Sequence, residues 1–153
     1  MKFKAIVVST FFGFGALSFV ACEKKSADVI VQVSKDNPEM VAAREEALKR
    51  YPEFQAAFEK RKIGDVFLVK TGFAVRGTDE HEYMWMMVQT IKGDVLSGTL
   101  ASDPMADVGL KSGDGVSANR ADIYDWMYGH KGTKPVGGFQ DAVLRKLEKE
   151  GGK

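Results

Sequence analysis

From Asp65 onward the apolar residues change their spacing, and that change limits the folds open to this chain more than any other feature. "DVFLVKTGFAV", "EYMWMMVQTI" and "DVLSGTLAS" are rich in β-branched and aromatic residues and alternate with period two. The turn-like stretches "RGTDEH" and "KGD" separate them, so three consecutive antiparallel strands follow. In the middle strand Tyr83, Trp85 and Met87 point one way and Met84, Met86 and Val88 the other. Both its faces are apolar, and it is expected to sit centrally with both covered. "GLKSGDGVSAN" reads as a turn with its corner at Gly113, Asp114 and Gly115, leading into one more strand.

Before Asp65 the spacing is helical. Asp36 or Asn37 can cap a helix with Pro38 at its first position and Glu39 in its first turn. Met40, Ala43, Ala47, Leu48 and Tyr51 then recur on one side, and Glu45 with Lys49 and Glu46 with Arg50 are spaced to pair on the other. Pro52 disfavours continuation through Tyr51, so "PEFQAAFEKRK" starts a second short helix that buries Phe54 and Phe58. Upstream, "DVIVQV" at residues 28–33 reads as a short strand. Downstream, Ile123, Trp126 and Met127 lie three and four apart, which fits one or two helical turns. After the breaker-rich "GHKGTKPVGG", "FQDAVLRKLEKE" closes the chain as an amphipathic helix with Phe139, Val143 and Leu147 on one side. The expected fold is therefore α+β: a curled antiparallel sheet of four to five strands, packed by an N-terminal helix pair and a C-terminal helix.

The first 27 residues read differently. Met1 to Lys4 form a short basic start, and the 17 residues from Ala5 to Ala21 are apolar or small, the layout of a secretory signal. An uncleaved membrane anchor is the competing reading, but the run is at the short end for a bilayer core of about 30 Å, and Gly13, Gly15 and Ser18 dilute it. Phe19, Val20 and Ala21 precede Cys22, the only cysteine in the chain. This arrangement resembles the box at the end of bacterial lipoprotein signals, with Phe19 where Leu is usual. The resemblance implies diacylglycerol on the Cys22 thiol, firm anchorage if three acyl chains are added, and, with Glu23 rather than Asp following, the outer membrane facing the periplasm. A free thiol at Cys22 is the alternative. The expected organisation is a lipoprotein signal peptide at 1–21, a short tether at 22–27 and a single domain at 28–150.

Charge narrows the partners. Lys and Arg number 22 against 21 for Asp and Glu, and removing Lys2 and Lys4 with the signal leaves near neutrality. No basic excess points to nucleic acid, and one cysteine excludes an internal disulfide or a zinc site of CxxC type.

Catalytic constellations are hard to assemble. Asp79, Glu80, His81 and Glu82, with His130, are the residue types a zinc or iron site would use, yet on a strand Glu80 and Glu82 face away from His81. The serines occupy no GxSxG elbow, and "KSGDG" and "GTKPVGG" lack phosphate-loop spacing. No metal, cofactor or catalytic residue is assigned. Trp85 and Trp126, among Tyr83, Tyr124, Tyr128 and several methionines, could form a recognition surface, although both lie at apolar positions expected to be core.

The stretches "DVIVQV", "MVAAREEALKRYPEF", "VFLVKTGF" and "EHEYMWMMV", then Gly98, Leu100 and Pro104, Gly113 with Asp114, and Asp125, Trp126 and Met127, follow one another in an order that resembles the YegJ-like bacterial proteins, a domain family of unknown function. The resemblance spans about Asp28 to Met127 and implies an envelope-associated domain, with no activity, cofactor or catalytic residue to carry over. The expected function is a lipid-anchored binding or accessory module with an unknown protein or peptide partner, whose surface includes Glu80, His81, Glu82, Asp125 and Trp126. The alternatives are a hydrolase of an envelope polymer or peptide that uses Glu80, His81, Glu82 and Asp125 as its acids and bases, and a toxin-immunity protein.

Overall fold

A computed structural model describes residues 37–151. The signal, Cys22, the tether and the strand expected at residues 28–33 lie outside the described residues. No helix among those described is long and apolar enough to cross a membrane.

Helix α1 spans Pro38–Lys49 and α2 Tyr51–Glu59. The Asn37 side-chain oxygen accepts from the N–H groups of Glu39 (2.9 Å) and Met40 (3.4 Å), satisfying two donors that have no partner inside the helix. The exposed charges pair otherwise than their spacing suggests: Lys49 lies 3.9 Å from Glu46, and Arg50 reaches Glu53 at 2.7 Å across the α1–α2 corner.

Six antiparallel strands follow: β1 (Asp65–Ala74), β2 (His81–Lys92), β3 (Val95–Leu100), β4 (Gly115–Asn119), β5 (Ile123–His130) and β6 (Val136–Gly137). Helix α3, Phe139–Gly151, ends the described chain. The sheet is open, in the order β4-β3-β2-β1-β5-β6. Lys92 pairs with Val95, so Gly93 and Asp94 form a two-residue hairpin loop whose positive φ at Gly93 a glycine adopts without strain.

Two expectations are corrected here. Among the described residues the sheet has six strands rather than four to five, and the segment around Trp126 is strand β5 rather than helix. The helical spacing has a physical origin. Lys70 pairs with Asp125 and Thr71 with Ile123, so Tyr124 is an extra residue, a β-bulge that puts the buried Ile123 and Trp126 three apart instead of two. The sixth strand is only two residues long and forms within the breaker-rich stretch, where Val136 and Gly137 pair with Tyr128 and Met127.

All three helices join one side of the sheet. There Ala47, Tyr51, Phe54 and Phe58 pack with Phe67, Val69, Met86, Leu96, Ile123 and Trp126 in one cluster, and Phe139 of α3 closes its edge. Phe54 and Phe58 meet Phe67 edge-on at ring-centre separations of 5.4 and 5.2 Å, a favoured aromatic geometry. Strand β2 is interior, as its apolar character predicts, but only the side carrying Met84, Met86 and Val88 is buried. Three short helices cover one face, and the face carrying Trp85 and Met87 has no second layer among the described residues.

Candidate functional site: the open face of the sheet

The bulge at Tyr124 sets up the most connected polar group in the domain. Asp125 is fully buried. Its Oδ1 accepts from the backbone N–H groups of Trp126 (2.8 Å) and Phe139 (3.0 Å), and its Oδ2 from those of Gln140 (2.9 Å) and Asp141 (3.3 Å). The carboxylate therefore caps the N-terminus of α3 from another element, where the helix dipole favours a negative charge. Burial pushes its pKa above the usual carboxylate range, and the four backbone donors pull against that shift. Gly137, with positive φ, lets the chain pass beside Trp126, whose carbonyl and ring leave no room for a side chain there. Trp126 is also fully buried, and its indole N–H donates to the Ala47 carbonyl at 2.6 Å. Together Asp125 and Trp126 tie α3 and α1 to β5; neither presents a surface.

The other expected site residues do not join them. Glu80 is exposed in the β1–β2 loop, and His81 is exposed at the start of β2. Glu82 accepts from the N–H groups of Met105 (2.9 and 3.1 Å) and Ala106 (2.8 Å), which pins the segment between β3 and β4. By strand alternation Glu82 shares the helix-covered side with Met84, whereas Asp125, adjacent to Trp126, departs from the opposite side. Glu82 pairs with Phe73 and Asp125 with Lys70, so the two are offset by about 10 Å along β1 at the strand rise. The four groups of the hydrolase alternative are thus not gathered in one cleft. His130 instead lies 2.9 Å from Asp65, and among the described residues no group of three His, Cys, Asp or Glu could hold a metal ion.

What the fold does gather is a face. Leu68 and Lys70 of β1, Trp85 and Met87 of β2 and Met127 of β5 are register neighbours on the uncovered side. Met87 is 41% exposed, and Leu68, Trp85 and Met127 are half-buried. Trp85 is therefore not the core residue its position in an apolar strand suggests. At one end the face is closed by Tyr83 and Tyr124, whose rings lie 4.4 Å apart and whose hydroxyls are 3.3 Å apart. Arg44 of α1 covers the Tyr124 ring at 4.1 Å while donating to the carbonyls of Ile123 (3.2 Å) and Ala121 (3.0 Å). Across β3 and β4 the surface turns polar, and Gln89, Thr90, Ser97 and Ser117 line a shallow depression of about 290 Å³.

Lys70 is a basic side chain set into the apolar part of this face, across from Asp125 on β5. Burial lowers its pKa, opposed by the more distant charges of Asp125 and Asp141. No hydrogen bond or ion pair reaches its amine among the described residues. Sequence reasoning did not single out Lys70 as a site residue. The available signal was parity: it alternates with Phe67, Val69 and Thr71, all buried, and so belongs to the other face.

Among the described residues, a six-stranded antiparallel sheet with its three α-helices on one side and an aromatic, methionine-bearing face on the other defines a one-sided α+β module. The chain belongs to a family of uncharacterised proteins conserved in bacteria, DUF2314, whose family model matches residues 37–150. No curated protein and no solved structure matches it significantly.

Proposed function

We propose that this chain is a lipid-anchored protein of the bacterial envelope, YegJ-like within its family, held at the outer membrane on the periplasmic side through lipid on Cys22, and that its domain acts by binding a protein or peptide partner. The observation that carries the binding reading is the open face, where Leu68, Trp85, Met87 and Met127 form a contiguous, partly exposed apolar surface on an interior part of the sheet. Contiguous exposed apolar surface of this kind marks interaction sites. Tryptophan anchors and adaptable methionines are the side chains such sites favour. The anchorage reading is supported by the basic start, the apolar run and Phe19-Val20-Ala21 before Cys22.

The test uses the full chain in cells with a photoreactive p-benzoylphenylalanine at Met87, and a control bearing it at Val41, which is 42% exposed on α1. A defined protein adduct is expected from position 87 and not from position 41. Equal labelling at both positions, or none at position 87, rejects the binding face. Mass spectrometry of the membrane-fraction protein is expected to find an acylated Cys22 as the first residue. An intact Met1 with a free thiol at Cys22 rejects the anchor.

A further inference from the structure

Lys70 stands in the middle of the open face, between its register partners Trp85 on β2 and Asp125 on β5. An ammonium has three donors to satisfy, yet none is taken among the described residues. The two carboxylates close enough to influence it are engaged elsewhere: Asp125 accepts from four backbone N–H groups, and Asp141 pairs with Arg145 on α3. The amine still meets solvent, but partial burial of the side chain weakens its hydration, and a carboxylate supplied from outside gives the ammonium a charged acceptor. Leu68, Trp85, Met87 and Met127, which lie beside Lys70 in the register, would exclude water once covered, and a less polar surrounding strengthens an ion pair.

The face also discriminates among occupants. A second copy of the same face brings apolar side chains and another Lys70 but no uncommitted carboxylate. A sugar polymer needs hydroxyl and amide partners, which here lie across β3 and β4 at Gln89, Thr90, Ser97 and Ser117, away from Lys70. The side chains around Lys70 are those that pack against aliphatic and aromatic groups.

We infer that the open face binds a polypeptide segment in which an Asp or Glu carboxylate, flanked by apolar side chains, pairs with the amine of Lys70 while the flanking residues pack on Trp85, Met87 and Met127. This rests on the binding reading above and specifies its partner. Discrimination by a buried charge pair is directional: removing or reversing one member leaves the other unpaired, whereas a like-charged replacement keeps the attraction.

The experiment combines the photoreactive residue at Met87 with substitutions at Lys70 in the full chain, in cells. Lys70→Arg is expected to retain capture of the same polypeptide, and Lys70→Glu to reduce its yield at least about tenfold, the shift of a lost charge-assisted contact. Lys70→Met, expected to fold whether or not Lys70→Glu does, should also lose capture. Zero-length carbodiimide coupling on the unsubstituted protein should join Lys70 to an Asp or Glu of that same polypeptide. Capture unchanged by Lys70→Glu and Lys70→Met overturns the carboxylate pairing while leaving a binding face. Coupling of Lys70 only to Asp125 or Asp141 of its own chain also overturns it. So does an adduct that proves to be a second copy of this chain, a lipid or a saccharide. Absence of any adduct from the unsubstituted Lys70 background removes the binding reading itself, and the inference with it.

Discussion

The two faces of the sheet are built from the same kinds of residue, and they differ in what their polar atoms find. On the covered face Trp126, Phe54, Met86 and Leu96 are fully buried. Most polar groups drawn into that layer are answered: the Trp126 indole by the Ala47 carbonyl, the Gln140 amide by the Met40 carbonyl at 3.2 Å and, at its edge, the Asp125 carboxylate by four N–H groups, while the buried Tyr51 hydroxyl has no partner. On the open face Trp85, Met87 and Met127 repeat the tryptophan and methionine chemistry, but the Lys70 amine has no protein partner among the described residues and meets solvent. Buried polar groups in folded proteins are paired. Burial, and a protein partner for each charged or amide group it takes in, rather than residue type, therefore separate the face that holds the fold together from the face left open.

The sharpest way to break this distinction is to truncate one tryptophan on each side. Trp126→Ala should cost about 3–5 kcal/mol, the range for removing a fully buried aromatic, because it leaves a cavity beneath Phe54 and Phe139, whose rings lie 5.5 and 5.2 Å from the indole. Trp85→Ala should cost less than about 1.5 kcal/mol, since the side chain is already partly exposed and its neighbours can relax. Urea unfolding of both variants decides the matter; equal losses would mean that the open face is structural after all. Next in size is Asp125→Ala. It leaves buried N–H donors at the start of α3 without an acceptor, at about 2–3 kcal/mol, and should loosen α3 before the sheet. Hydrogen exchange is expected to rise first at Phe139, Gln140 and Asp141, and unchanged protection there would show that the cap is not what fastens α3.

Much of the covered face was legible in advance, because its signals are local. Asn37 before Pro38 marks the start of α1, and Phe54 and Phe58, four apart, mark the buried side of α2. Alternation from Phe67 to Leu100 marks β1, β2 and β3. The illegible parts depend on distant backbone. Glu82 meets the amides of Met105 and Ala106, and Asp125 caps a helix 14 residues downstream, both through backbone N–H groups that leave no trace in residue type. The bulge at Tyr124 replaces a strand period with a helical one, so the spacing of β5 fits a helix. The sequence places Trp85 in the core because an apolar strand does not reveal how many layers will cover it. That depends on where three short helices pack, and all of them found the side carrying Phe67, Val69 and Trp126.

The smallest effect sharpens the comparison most, because it separates a lysine that supports the fold from one held ready for a partner. The Lys70 pKa is lowered in the folded state by burial, so between that lowered value and the ordinary lysine value the unfolded chain binds more protons than the folded one. Stability then rises with pH across that window. Relative to Lys70→Met, the natural protein should gain stability as pH climbs toward the ordinary lysine range and show its largest deficit below the folded pKa, where both states are charged and only the folded one is desolvated. Lys70→Met should therefore be as stable as the natural protein or more so at neutral pH, with the advantage fading in alkali. Thermal unfolding of the pair from neutral to alkaline pH measures this. A variant less stable at neutral pH would show that the Lys70 charge is stabilised by Asp125 and Asp141 across space, and would place it with the answered groups of the covered face.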